Sequence, residues 1–251
     1  MADLYYEKPV LLDREKHRGL RVQPRSGFAF ARRTNSLYVA AVEFNDACKE
    51  YPIVFTRGRD GKVVPVVMLG LRDRDNLFVG EAEQWDARYI PAFVRRYPFV
   101  LSPLPDQALA VCIDEAYSGL GESEGEPLFD PQGAETPFLK SALEFLSQYQ
   151  REVQRTEAFC QRLDGSGLLK EQNARFNLPD GRNFVVNGLL VVDEQKLLAL
   201  PDAAALTLFR SGELALVLMH LLSMSNMQRL VERAARRADP AGAAPAVPRQ
   251  A

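Results

Sequence analysis

The feature that most constrains this chain begins at Thr136-Pro137. Phe138, Ala142, Phe145, Tyr149, Val153, Phe159 and Cys160 follow at three- and four-residue steps as far as Leu163. That spacing places one apolar stripe along a single helix of about 27 residues. Thr136 offers an N-cap, and Pro137 sits at the first helical position, where its missing N–H is no loss. Gly165 and Gly167 stop the run. So long a stripe must be buried against another layer, and the preceding residues are of a different kind.

Residues 1–118 hold short β-branched and aromatic runs: Val10-Leu11-Leu12, Leu37 to Phe44, Pro52 to Thr56, Val63 to Leu71, Asn76 to Val79, Phe99 to Leu101 and Leu109 to Ile113. Asp60-Gly61 between two of them is a hairpin signal. Strands this close together, without long helices between them, predict an antiparallel meander. Trp85, Tyr89, Phe93 and Tyr97 recur every four residues. They predict a helix over this segment, with Pro91 near its start or at a kink, and Pro98 at its end.

Residues 119–135 (GLGESEGEPLFDPQGAE) are acidic and rich in Gly and Pro, and predict an exposed linker or surface loop. Beyond the long helix, Arg175 to Leu178 and Asn183 to Val192 flank Pro179-Asp180-Gly181, a second hairpin. Asp193 caps a short helix, Pro201-Asp202 opens another that ends near Gly212, and a final helix runs from Glu213 to about Arg237. The Ala/Pro-rich residues 238–251 are expected to be a disordered tail. The fold class expected is α+β: a mainly antiparallel sheet from the N-terminal half, with a helical layer and a β-hairpin from the C-terminal half. Residues 1–237 are read as one domain.

Composition narrows the function. Thirty-one basic residues against thirty-three acidic ones give a net charge of −2, which excludes a basic nucleic-acid footprint. Two histidines, His17 and His220, remove most His-based catalytic and zinc constellations. Three cysteines without a CxxC fit free thiols in a reducing compartment. Charges at Asp3, Glu7 and Lys8 interrupt any signal-peptide core, so a cytoplasmic location is expected, with leaderless export to the cell surface as the alternative. Leu214 to Leu222 is far shorter than the roughly 20 apolar residues of a membrane span.

No residue set carries a supported catalytic constellation. Asp73-Arg74-Asp75 reads as a charged hairpin corner rather than a metal-ligand pair. Neither a metal nor a cofactor is expected. The densest group of unusual residues is Arg72, Asn76, Glu81, Trp85, Arg88, Tyr89, Arg95 and Arg96, with Tyr97 at its end. Arg and aromatic side chains together are the composition of binding hot spots. The competing reading is a helix packed by its aromatic face, with Arg95 and Arg96 solvated in its last turn.

The segments YPIVFTRG, VVPVVMLGLRDRDNLFV, WDARYIPAFVRRYPFVL and VCIDE resemble the SapC family of bacterial proteins. The same holds for TPFLKSALEFLSQYQREVQRTEAFCQRLDGSGLL and GLLVVDEQKLLALPDAAALTLFRSGELALVLMHLLSM. The resemblance runs from about residue 5 to 232. It implies association with a bacterial surface layer, or with outer-membrane TonB-dependent receptors and proteins similar to flavin-dependent tryptophan halogenases. It implies no catalytic residues. Two functions are expected from it and from the residues. One is a non-enzymatic interaction or accessory protein with a protein partner. The other is a cytoplasmic enzyme, or a substrate-binding accessory, acting on a peptide or amino-acid derivative.

Overall fold

Alternating apolar residues in the first hairpin find their partners across a tight turn. Strands β4 (Ile53–Arg57) and β5 (Val63–Met68) pair antiparallel with Ile53 opposite Val67 and Arg57 opposite Val63. Gly61 sits between them at φ 77°, a left-handed conformation that glycine adopts without a Cβ clash. β3 (Ser36–Tyr38) adds to the far side of β5. On the near side, the second hairpin joins β4 through β11 (Asn183–Val192), with Leu190 opposite Phe55. β10 (Leu169–Asn177) forms the outer strand of that hairpin. The result is a five-stranded antiparallel sheet of order β10-β11-β4-β5-β3, assembled from both halves of the chain.

A computed structural model provides this description for residues 5–23, 27–58, 60–104, 109–178 and 181–237. The expected tail, 238–251, lies outside the described residues, as do Pro179 and Asp180 of the second turn. The fold is α+β.

Two smaller sheets complete the strands. β1 (Pro9–Leu11), β7 (Leu109–Asp114) and β6 (Phe99–Pro103) form one, in the order β1-β7-β6. β2 (Arg21–Val22) lies between β8 (Leu120–Gly121) and β9 (Glu126–Pro127) in the other. That second sheet corrects part of the expectation of an exposed linker or surface loop over 119–135: residues 122–126 are exposed, but the segment also contributes two short strands. The backbone of β8 and β9 is paired with β2, and Leu128 and Phe129 just beyond are buried.

The helices are α1 (Phe44–Ala47), α2 (Ala92–Arg95), α3 (Pro137–Gly165), α4 (Glu194–Leu198), α5 (Asp202–Ser211), α6 (Glu213–Ser223) and α7 (Asn226–Arg236). The long helix α3 begins as expected, with the Thr136 hydroxyl accepting from Leu139 N. Leu139, Leu146, Tyr149, Phe159, Cys160 and Leu163 are its buried stripe. The expected final helix is divided at Met224-Ser225 into α6 and α7. Asn226, which opens α7, donates its side-chain amide to the carbonyls of Cys48 and Tyr51.

Two expected elements shrink for one reason. The strand expected over 37–44 ends at Tyr38, and the helix expected over Trp85–Tyr97 is reduced to α2. In both places a buried carboxylate captures backbone N–H groups that regular structure would use. Glu43 accepts from Ala40 N, Ala92 N and the Tyr89 hydroxyl. Glu50 accepts from Arg88 N and Tyr89 N. Pro91 then stands as the residue before α2, extended at φ −54° and ψ 141°.

Candidate functional site

The residues of the Arg/aromatic group do not converge on one hollow. Asn76 is fully buried and bonds Ala31 O and Phe78 N. Trp85 is buried and donates its indole N–H to the Tyr51 hydroxyl, which itself donates to Tyr89 O. Arg72 lies 5.0 Å over the Phe184 ring. Glu81 is exposed. Arg88 and Tyr89 line a shallow charged hollow with Asp46, Lys49, Glu50 and Arg229. Lys49 pairs with Asp46, Glu50 accepts from Arg88 N and Tyr89 N, and Arg229 donates to Lys49 O.

Arg95 and Arg96 are not alike. Arg95 is exposed, yet its guanidinium lies over the rings of Tyr89 and Phe145 at 5.8 and 5.1 Å. Arg96 is no solvated cation. Its guanidinium sits 3.9 Å from the centre of the Phe93 ring, with Tyr149 and Tyr6 at 5.4 and 5.8 Å. Two of its nitrogens are buried without a hydrogen-bond partner. The positive charge is therefore held by ring faces rather than by a carboxylate.

A different set of residues forms a cavity of about 590 Å³. It collects Tyr5 and Tyr6 from the N-terminus, Phe30, Arg33, Thr34 and Asn35 ahead of β3, Asp73 and Arg74 after β5, Glu83, Tyr97, and Tyr117 after β7. Tyr97 is the hub. Its ring stacks on Phe30 at 4.1 Å and meets Tyr5, Tyr6 and Tyr117 edge-on at 5.6, 5.3 and 5.0 Å. Each tyrosine hydroxyl is tied to the protein. Tyr5 donates to Phe93 O, Tyr6 to Phe99 O, Tyr117 to Gln23 O, and Tyr97 to the Asp114 carboxylate. Burial pushes the Tyr6 hydroxyl up to about 12, and burial followed by the Asp114 charge raises that of Tyr97 further. These groups stay protonated, and what they present is ring surface.

Arg33, Asp73, Arg74, Glu83 and Glu7 form no ion pair among the described residues. Arg74 at φ 58° and Glu83 at φ 61° are the two non-glycine residues with positive φ among the described residues. Both line the cavity. Such backbone strain gathers at binding sites. Beside Glu83 stands Gly27, at φ 121°, where an added Cβ would lie 2.7 Å from the Glu83 carboxylate. Of the two carboxylates in Asp73-Arg74-Asp75, Asp73 lines the cavity, while Asp75 is engaged by Arg237.

Of the cavity's residues the sequence singles out Tyr97, Asp73 and Arg74, and the rest escape it because the segments are up to about a hundred positions apart. The only other local sign is the Tyr5-Tyr6 pair.

A third surface lies on α4, α5 and α6. α5 buries none of its residues. Leu198, Phe209, Leu222, Leu218 and Leu206 are exposed at 87%, 68%, 66%, 51% and 45%. The opposite side of α6 carries buried Val217, His220 and Ser223. His220 bridges the sheet: Nδ1 donates to Ile53 O and Nε2 accepts from Val192 N. Burial lowers its pKa to about 4. Both of its nitrogens are thus bonded to backbone. The run Glu213–Arg236 has the length and composition of a membrane-crossing helix, with 33% of its most apolar window buried. Its polar residues His220, Ser223 and Asn226 are bonded to the β4 region.

No curated protein and no solved structure matches the chain significantly. The SapC family model matches residues 12–230, a span that includes the long helix α3, the five-stranded sheet, most of the cavity and the apolar helical face. The chain belongs to the SapC family.

Proposed function

We propose that this protein is a non-catalytic accessory of a bacterial surface layer or of an outer-membrane, TonB-dependent uptake system. In this reading it acts by holding a protein partner on the α5–α6 face. The observation that supports it is the exposure of Leu198, Leu206, Phe209, Leu218 and Leu222 on neighbouring helices, beside a helix with no buried residue. Apolar side chains concentrated in this way on a surface mark protein contact sites. Phe209 is the expected anchor, since aromatic residues dominate binding energy.

The test is co-precipitation of tagged protein from the native cell, with the partner identified by mass spectrometry. A surface-layer protein or an outer-membrane receptor component should be recovered by the wild type and lost by a Phe209→Asp, Leu222→Asp double variant. Both positions are exposed, so the variant should keep the wild-type melting temperature. Unchanged recovery by the variant, or recovery of neither partner class by the wild type, overturns the reading.

A second reading is favoured by the cavity around Tyr97. In it, the accessory role includes holding a small peptide or amino-acid derivative there.

A further inference from the structure

Resting on that second reading, we infer that the cavity around Tyr97 is a binding site for a free aromatic α-amino acid. Three observations fix the class. The volume of about 590 Å³ lies within the range of small-molecule sites. The floor is an aromatic array with Tyr97 at its centre, and its hydroxyls are already bonded to protein acceptors. A ligand therefore meets ring faces and edges, which suit another ring in stacked or edge-on contact.

The rim carries charge of both signs that forms no ion pair among the described residues. Arg33 and Arg74 are the cations, and Glu7, Asp73 and Glu83 are the anions. A ligand with one charge would be attracted by one set and repelled by the other. A zwitterion satisfies both: its carboxylate is held by a guanidinium, which suits the planar two-oxygen group, and its ammonium by a carboxylate. The Thr34 side chain, buried and making no hydrogen bond among the described residues, adds a neutral donor and acceptor to the lining.

The strained backbone supports a binding role for particular rim residues. Arg74 and Glu83 hold one charge of each sign, and both occupy the left-handed region that side chains other than glycine rarely adopt. Glycine would relieve that strain, so the presence of a charged side chain at each position calls for a reason other than the fold.

Calorimetric titration of the full chain tests the assignment, using L-phenylalanine, L-tryptophan, phenylalaninamide, N-acetylphenylalanine, L-leucine and the tripeptide Phe-Gly-Gly. Phenylalanine or tryptophan should bind. Loss of either charge, or replacement of the ring by the leucine side chain, should weaken binding about tenfold or more. Arg74→Gly should weaken binding of the aromatic amino acid by a similar factor without lowering the melting temperature, and Arg33→Gln should do the same. A purely structural role for Arg74 would show the reverse, with lower stability and unchanged affinity. If the capped forms or the tripeptide bind as well as the free amino acid, the zwitterion assignment fails while the cavity remains a ligand site. If no compound gives heat, both the assignment and the small-ligand reading fail.

Discussion

Arg96 and Arg95 are neighbours in sequence with opposite surroundings. Arg96 lies against Phe93, Tyr149 and Tyr6 with two buried nitrogens, whereas Arg95 is exposed. Each desolvated cation–ring contact is worth about 0.5–2 kcal/mol, and the aliphatic stem adds packing. Arg96→Ala should therefore destabilise by about 1–3 kcal/mol in denaturant unfolding, and Arg95→Ala by less than about 1 kcal/mol. Equal effects would contradict the cage. His220 makes a pH-dependent contribution. Its pKa of about 4 lies below the ordinary 6.5, so between these values the unfolded chain binds the extra proton. Its contribution is complete above pH 6.5 and is lost as pH falls towards 4, by an amount on the order of 3 kcal/mol. Buried Glu43, raised by desolvation, acts in the opposite sense: its contribution is lost as pH rises above its ordinary 4.5. The His220 effect is therefore read as a difference. The gap in stability between wild type and His220→Leu should narrow from pH 7 to pH 4, and a constant gap would refute the assignment.

At the level of elements, legibility follows the range of the forces involved. α3 was readable because its cap and stripe are local: Thr136, Pro137 and an apolar residue every turn. The same is true of the β4–β5 hairpin with Gly61, of α4 capped by the Asp193 side chain at Gln195 N, and of α5 ending at Gly212. The segment from Trp85 to Tyr97 has equally regular spacing and failed as a helix. There Glu43 and Glu50, some forty positions earlier, take the N–H groups of Ala92, Arg88 and Tyr89. Residues 119–135 look like solvent-facing loop by composition, but β2 supplies the pairing that composition cannot show. The cavity around Tyr97 is the extreme case. No window of sequence contains more than a few of its residues, and its aromatic floor exists only once the three sheets are in place.

On the scale of the whole molecule, the two halves of the sequence are not two halves of the structure. β11 pairs with β4, while α6 reaches Ile53 through His220 and Ser223. α7 reaches Cys48 and Tyr51 through Asn226. Residues 136–237 expressed alone would strip these polar groups of their partners at Cys48, Tyr51 and Ile53 and leave the stripe of α3 without most of its sheet. That fragment should show no cooperative thermal transition, and a sharp one would show that the helical half is autonomous. Arg237, at the end of the described chain, donates to Asn76 O at 2.6 Å and to Val79 O, and pairs with Asp75. Its contacts carry a temporal consequence. A ribosome delivers Asp75 to Val79 long before it delivers Arg237, and the early strands must wait, with β4 unpaired along one side, until β11 has emerged. Completion of this fold is thus bound to the emergence of Arg237, and a nascent chain that stops short of β11 carries an open sheet edge rather than a finished smaller protein.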